Sequence, residues 1–255
     1  GKHVAIIGSG PCGITAGLLL GQAGIDVTLY ESQEDIGGVL RYGIPDFRLD
    51  REIIDGYRAY LEKCGVTVCC NIKVGEDLSL KQIREENDAV ILANGLWQPK
   101  KLGIPGENLD HVITSVDYLK NPKAYDLCGE VIVIGAGNAA MDVSRCAVRS
   151  NAESVVNYVR TNRIKASAHE VAFAKAEGVR IEQGKAPIEF TEEGVWFNCS
   201  EYDENNEKTD KPSEKKFYHA DWIIVAISQE SDGIIKKDCS ELLVDDWGLI
   251  VTNEE

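Results

Sequence analysis

Two glycine-rich segments are the parts of this 255-residue sequence best suited to binding chemistry. They read Gly8-Ser9-Gly10-Pro11-Cys12-Gly13 and Gly135-Ala136-Gly137-Asn138-Ala139-Ala140. The GxGxxG/A spacing lets the backbone turn tightly, approach a pyrophosphate and pack the next helix on a sheet. The N–H groups and positive dipole end of that helix attract phosphate. Each segment therefore predicts a dinucleotide-binding turn.

Elements of the required kind flank the first turn. Residues 4–7 form an apolar run that predicts a buried parallel strand, and residues 14–23 predict an apolar helix. A second predicted strand, Asp26–Tyr30, is followed by Glu31, whose carboxylate could accept hydrogen bonds from ribose hydroxyls. The residues predicted to bind a nucleotide here are Gly8, Gly10, Pro11, Cys12, Gly13, Glu31 and Ser32.

The second turn is followed by cations in place of an acid. Residues 131–134 and 154–158 predict its strands, and Arg160 and Arg163 stand beyond the second strand. A carboxylate there would repel a 2′-phosphate, whereas a guanidinium binds it through charge-assisted hydrogen bonds. We therefore favour NADP(H) over NAD(H), with an exposed surface arginine as the alternative at either position. The residues predicted to bind are Gly135, Gly137, Asn138, Ala139, Ala140, Arg160 and Arg163.

Two complete fingerprints in one chain imply two bound dinucleotides and hydride transfer between them. Further motifs are GGVLRYGIPDFRL at residues 37–49, Ala93-Asn94-Gly95, LGIPGE at residues 102–107 and AISQ at residues 226–229. With the glycine turns, these motifs resemble the small (beta) subunit of glutamate synthase and its relatives. Those relatives include the flavin domains of dihydropyrimidine dehydrogenase and of ferredoxin-NADP transhydrogenase. The resemblance covers essentially the whole chain.

The resemblance implies roles for the matching positions. FAD would occupy the first unit, and the residues implied to line its site or its exit are Gly38, Arg41, Pro45, Val74, Ala93 and Gly95. For Arg41, a surface ion pair is the alternative. Departures from the family pattern are Asp50 for proline, Asn94 for threonine, Val159 for a second arginine and Ser228 for glycine.

The expected fold is doubly wound α/β, with two Rossmann-like dinucleotide-binding domains and the NADP domain inserted into the FAD domain. We assign residues 1–108 and 240–255 to the FAD domain and residues 109–239 to the NAD(P)H domain. The resemblance places an iron–sulfur segment before the first strand and a closing Gly-Asp flavin motif after the last residue. We therefore expect the chain to be a truncated piece. The charged stretch at residues 201–216 is expected to be a solvated hairpin loop, with partner docking as its alternative.

The function implied by the resemblance is an electron-input module that passes hydride from NADPH to FAD and electrons to iron–sulfur clusters or a partner subunit. Because the flavin performs the difficult step, no catalytic side chain is required, and the four histidines are expected to be structural or exposed. Two alternatives remain. One is a pyridine nucleotide–disulfide reductase, against which the missing Cys-x-x-Cys argues. The other is a fragment that binds nucleotide without turnover.

The composition limits which classes of binding partner and which cellular compartment we expect. A net charge of −15 argues against nucleic acid or an anionic membrane surface, which both require a basic face. No apolar run approaches the roughly 18–20 residues that span a bilayer. The eight cysteines are irregularly spaced, so we expect no metal site and reduced thiols in a cytoplasmic protein.

Overall fold

The computed structural model describes residues 1–253, which divide into two compact units. The first unit consists of Gly1–Gln98 and the segment that begins at Gln229, and the second consists of Pro99–Ser228. The second unit is therefore inserted into the first along the chain. The ends of the second unit meet, because the Lys100 N–H donates to the carbonyl of Ser228 at 3.0 Å.

The first unit contains four strands and four helices before the chain leaves it. The strands are β1 (His3–Ile7), β2 (Asp26–Tyr30), β3 (Thr67–Cys69) and β4 (Ala89–Leu92). The helices are α1 (Pro11–Gln22), α2 (Val39–Tyr42), α3 (Arg51–Lys63) and α4 (Leu80–Glu86). The strands form one parallel sheet in the order β3-β2-β1-β4. This order places the carboxyl ends of β1, β2 and β4 at one edge, where the first glycine turn begins.

Both faces of this sheet are covered, which explains the unbroken apolar run in β1. Ile6 and Leu29 are fully buried under α3, against Ile54 and Leu61. On the other face, Ala5 packs in a cluster with Val74, Leu80, Ile83 and Ile235. At the start of α3, Asp50 accepts a hydrogen bond from the Glu52 N–H, so this departure from the family's proline supplies an N-cap.

The chain crosses into the second unit at β5 (Gln98–Pro99). The second unit contains eight strands: β6 (Val112–Thr114), β7 (Glu130–Ile134), β8 (Ser154–Val159), β9 (Arg180–Gln183), β10 (Lys185–Thr191), β11 (Gly194–Cys199), β12 (Glu214–His219) and β13 (Trp222–Val225). Its helices are α5 (Ser115–Lys120), a 3₁₀ turn (Pro122–Ala124), α6 (Asn138–Arg149) and α7 (Ala168–Ala176). The chain returns through β14 (Gln229–Glu230) to α8 (Ile234–Asp238).

The second unit has three layers. Five parallel strands in the order β6-β13-β7-β8-β9 form its central sheet. Helices α5 and α6 cover one face, with Met141 and Tyr118 fully buried there. The antiparallel sheet β10-β11-β12 covers the other face, where Phe197 packs on Tyr158 with ring centroids 4.6 Å apart. The residues that join β11 to β12 form the loop expected within the charged stretch.

The unit boundaries fall at 98/99 and 228/229, earlier than the predicted 108/109 and 239/240. Packing explains both differences. Leu102 and Ile104 pack into the core of the second unit, and the Glu107 carboxylate accepts backbone N–H groups from this segment. At the other crossing, Ile235 is buried in the first unit, and Asp238 accepts the Leu80 N–H at 2.5 Å.

Candidate nucleotide-binding sites

In the first glycine turn, two positions must be glycine because a side chain there would collide with the protein's own backbone. Gly8 has φ +98°, and a Cβ there would lie 2.4 Å from the carbonyl oxygen of Ala93. A Cβ at Gly13 would lie 1.9 Å from the carbonyl oxygen of Gly8. The turn therefore packs tightly on the end of β4 and on the first turn of α1.

At Gly10, in contrast, neither the backbone conformation nor the packing of the protein requires a glycine. Its φ of −69° suits any residue, and apart from its two chain neighbours no atom of the described residues lies within 4 Å of the position that a Cβ would take. No side chain caps α1, at whose start Pro11 and Cys12 are exposed. Open space beside an uncapped helix N-terminus accommodates a phosphate, and a side chain at Gly10 would fill that space. The cradle therefore fits a phosphate-bearing nucleotide.

Glu31 lies at the end of β2 with its carboxylate buried and fully engaged. Its Oε2 accepts from the Ser9 N–H at 3.0 Å and from the Ser9 hydroxyl. Its Oε1 accepts from the Ser32 hydroxyl at 3.1 Å and from the Gln33 N–H at 2.7 Å. Because a carboxylate offers about four acceptor positions, a ribose diol would bind Glu31 only by displacing a serine hydroxyl.

Ser9 is a residue of this site that the sequence analysis missed. It is fully buried, and its carbonyl accepts the Gly37 N–H at 3.0 Å. Ser9 thus links the glycine turn, Glu31 and the loop that contains Gly38. It occupies a variable position of the fingerprint, so only its hydroxyl beside a buried acid signals the role.

The loop at Gly38 lies directly against the turn. Gly38 has φ +52°, and a Cβ there would lie 2.8 Å from the Cα of Gly10. Arg41, on α2, forms ion pairs with Asp35 at 3.3 Å and with Asp55, and it donates to the carbonyl of Ile36 at 2.8 Å. Its charge is therefore balanced within the protein, as in the ion-pair alternative.

Asp35 is shared between two guanidinium groups. Arg58 donates to it at 2.6 Å, in addition to the ion pair from Arg41. Burial acts to raise the pKa of Asp35, but the hydrogen bond from Arg58 and the nearby positive charges hold it below its usual value. These contacts form a fixed support beneath the glycine loop.

The remaining predicted residues of the first unit lie in three places. Ala93 follows β4 and borders Gly8, with its N–H bound to the carbonyl of Ile7 at 2.8 Å. Val74 is buried in the cluster on the other face of the sheet. Pro45 is buried, whereas Gly95 is exposed and has φ +67°. The turn, Glu31, Gly38 and Ala93 are thus brought together, and the contacts of Pro45, Val74 and Gly95 are with other parts of the unit.

In the second glycine turn, as in the first, one glycine is required by close packing and another lies beside open space. A Cβ at Gly135 would lie 2.3 Å from the carbonyl oxygen of Ala226, and the methyl of Ala140 is fully buried beneath the turn. Gly137 precedes α6 with φ −96°. Among the described residues no side chain caps this helix, and apart from the two chain neighbours of Gly137 no atom lies within 4 Å of a Cβ position there. Ala139 is half-buried in the first turn of the helix. This cradle also fits a phosphate.

The Asn138 side chain is hydrogen-bonded to the protein's own backbone. Its Oδ1 accepts the Ser167 N–H at 2.9 Å, and the carbonyl of Ala136 accepts the N–H groups of Lys165 and Ala166, each at 2.8 Å. The segment that follows β8 is therefore bonded to the glycine turn. Asn138 was predicted from the sequence as a nucleotide contact, whereas Lys165 was not.

Arg160 and Arg163 are exposed beyond the end of β8. Within residues 1–253, neither they nor Lys165 lies in ion-pair contact with a carboxylate. Val159, at the place of a second arginine in the family pattern, is 1% exposed and belongs to the core. Among the described residues, three cations without an ion-pair partner therefore lie near the second turn of a strongly acidic chain.

Among residues 1–253, no cluster of histidine, cysteine, aspartate and glutamate could hold a metal ion. None of the helices described has both the length and the apolar character needed to cross a bilayer.

Known proteins share this arrangement. FprA from Mycobacterium tuberculosis, solved in complex with NADPH, superposes with a TM-score of 0.74 at 21% identity, over 90% of this chain and 71% of FprA. The profile of the pyridine nucleotide-disulphide oxidoreductases matches residues 2–255. The chain belongs to that family. The predicted α/β fold with two dinucleotide-binding domains is thereby confirmed, and FAD and NADP(H) are the cofactors of this family.

Curated relatives confirm the resemblance noted in the sequence. The glutamate synthase [NADPH] small chain of Halomonas elongata is 33% identical over 249 residues, which cover 88% of this chain and 53% of that protein. The NAD-dependent dihydropyrimidine dehydrogenase subunit PreT of Escherichia coli O157:H7 is 37% identical over 193 residues, 72% of this chain and 46% of PreT. This chain spans about half the length of these two relatives, and their names differ in the nucleotide used.

Proposed function

We propose that this chain forms the nucleotide-binding part of a cytoplasmic electron-input flavoprotein. FAD would bind the first unit and NADPH the second. Electrons would leave for iron–sulfur clusters or a partner subunit, as expected for a relative of the glutamate synthase small chain. The FAD domain would correspond to the first unit and the NAD(P)H domain to the second, in place of the boundaries at 108/109 and 239/240 expected from the sequence.

The observation that carries the proposal is the pair of open cradles at Gly10 and Gly137. Each lies beside an uncapped helix N-terminus, so each can hold a pyrophosphate. Two such cradles call for two nucleotides, and two nucleotides in one oxidoreductase call for hydride transfer between them. When bound, FAD would supply the exchange between two-electron and one-electron chemistry.

The protein's own residues would bind and orient. In the first unit, the N-terminus of α1 would face the pyrophosphate, Glu31 would take the ribose, and Gly38 would leave room for close approach. In the second unit, Arg160 and Arg163 would bind the 2′-phosphate of NADPH. No side chain is assigned a proton-transfer role, because hydride transfer between the two nucleotides requires none.

An absorbance spectrum of the purified chain, before and after anaerobic addition of NADPH, tests the proposal. We expect the two visible bands of oxidised flavin, and we expect NADPH to bleach them. A colourless chain that still binds NADPH would mean nucleotide binding without turnover. Rapid NADPH-dependent reduction of small disulfides would instead favour a pyridine nucleotide–disulfide reductase, which the absence of any Cys-x-x-Cys opposes.

A further inference from the structure

The segment between β8 and α7 is attached to the second glycine turn by three hydrogen bonds. We call residues 160–167 the basic segment, because it contains Arg160, Arg163 and Lys165. Two of the bonds end on the backbone carbonyl of Ala136, which any sequence would provide. The third ends on the side chain of Asn138, which accepts the Ser167 N–H at 2.9 Å. Only this third bond depends on residue type.

The two ends of the basic segment are fixed independently. Near its start, the carbonyl of Asn162 accepts a hydrogen bond from the Gln183 side chain at 2.7 Å, which ties it to β9. At its end, Ser167 is the N-cap of α7 and its hydroxyl accepts the Glu170 N–H. The segment therefore has little freedom to leave the glycine turn while the Asn138 bond holds.

Helix α7 is in turn held on α6. Arg145, on α6, bonds Glu170 on α7 at 3.2 Å and Glu177 at the end of α7 at 2.8 Å. Arg149 also binds Glu177. Because α6 begins at the cradle of Gly137, these bonds fix where α7 starts, and so where the basic segment ends, relative to that cradle.

The positive charges of the basic segment, which pair with no carboxylate among residues 1–253, suggest why the segment is held against the glycine turn. Lys165 is exposed, its backbone N–H lies on the glycine turn, and no carboxylate of residues 1–253 pairs with it. Holding uncompensated cations together costs free energy unless an anion binds between them. A dianionic 2′-phosphate is such an anion, whereas the ribose hydroxyl of NADH is not.

We propose that Asn138 is a positioning residue that holds the basic segment against the glycine turn, and that Lys165 is a further phosphate-binding residue. This inference rests on the proposed binding of NADPH to the second unit. Asn138 acts through the segment, and its loss weakens NADPH binding by releasing Arg163 and Lys165. NADH, which lacks the 2′-phosphate, depends little on the segment.

The test is titration of the purified chain with NADPH and with NADH by calorimetry. Asn138→Ala removes the acceptor. Ser167→Pro removes the donor N–H and suits the φ of −61° at that position, whereas Ser167→Ala removes only the N-cap hydroxyl. We expect Asn138→Ala and Ser167→Pro each to raise the Kd for NADPH roughly tenfold and that for NADH less than about twofold. Ser167→Ala, which keeps the N–H, should raise the Kd for NADPH much less than Ser167→Pro does, and combining Asn138→Ala with Ser167→Pro should add nothing.

Lys165→Ala should likewise weaken NADPH binding alone, with Lys175→Ala, an exposed lysine of α7, as its control. Equal losses for both nucleotides in Asn138→Ala, or equal effects of the two Ser167 variants, would overturn the positioning role. An unchanged Kd in Lys165→Ala would remove Lys165 from the site. A wild-type chain without preference for NADPH would instead contradict the proposed function, and with it this inference.

Discussion

The two glycine turns share an open position at the middle glycine and differ in the charged residues beside them. In the first unit, Glu31 is buried with all its acceptor positions filled, and Arg41 is paired with carboxylates. In the second unit, Arg160, Arg163 and Lys165 are exposed and unpaired within the described residues. The first site is completed by the protein's own polar groups, whereas the second leaves positive charge for a ligand to neutralise.

This difference shows what a fingerprint motif specifies. The spacing of glycines determines the turn and the open cradle, which are alike in both units. We propose that the residues after the second strand determine which nucleotide fits, and there the two units diverge. Substitutions in either unit test this difference.

The largest effect is expected from the glycines that the protein itself requires. Gly13→Ala places a Cβ against the carbonyl of Gly8, and we expect it to lower the free energy of unfolding by about 3 kcal/mol or more. Gly10→Ala enters open space, so we expect a cost below about 1 kcal/mol together with loss of bound flavin. Urea unfolding and the flavin-to-protein ratio measure the two effects. Equal destabilisation by both changes would contradict the assignment of Gly10 to ligand approach.

Glu31→Gln should affect both stability and binding. The amide group would point donors at the Ser9 or Gln33 N–H, leaving buried groups unsatisfied, so we expect a loss of about 1–3 kcal/mol in unfolding free energy. FAD binding should weaken with it. Urea unfolding of the variant beside Ser32→Ala, which removes one exposed partner, gives the comparison. A neutral result for Glu31→Gln would mean that the buried network contributes nothing.

Arg160→Ala should affect binding alone. Because Arg160 is exposed and unpaired among residues 1–253, we expect unfolding to change by less than about 0.5 kcal/mol. The Kd for NADPH should rise roughly tenfold while that for NADH stays nearly constant. Arg180→Ala, an exposed arginine on β9, is the matched control. Equal effects on the two nucleotides would contradict the 2′-phosphate assignment.

The smallest expected effect is on the stability of the fold at acidic pH. Hydrogen bonding from Arg149, opposed by burial and aided by Arg145, lowers the pKa of Glu177 from 4.5 to about 2. A carboxylate with a depressed pKa stabilises the fold above its unfolded pKa, and that stabilisation is lost as the pH falls from about 4.5 to about 2. Glu177→Gln should therefore flatten stability over this range. Thermal melting of both proteins across these pH values checks the slope, which should be the same in both if Glu177 is unimportant.

Much of the fold follows from local sequence pattern. The apolar runs before Gly8 and Gly135, the glycines themselves and the helices after them sit where the spacing predicts, because each feature depends on neighbours a few residues away. The helix predicted at residues 14–23 begins earlier, at Pro11, since proline is favoured in a first helical turn.

The contacts that complete each site could not be predicted in this way. The link from Arg41 to Asp55 and that from Asn138 to Ser167 join residues far apart along the chain. The hydroxyl of Ser9 stands at a variable position of the motif, and its value appears only once Glu31 is buried beside it. Local patterns therefore reveal the cradles, and tertiary packing decides which side chains serve the ligand and which serve each other.

The hydrogen bond between Lys100 and Ser228 has a consequence for how such proteins arise. A unit whose entry and exit meet replaces a short loop of its host, so it can be inserted or exchanged with little cost in chain entropy. The nucleotide preference of the whole flavoprotein then becomes a transferable property. A gene segment that encodes the second unit from its entry to its exit would contain both Asn138 and the basic segment. Its insertion into another flavoprotein would therefore transfer both together.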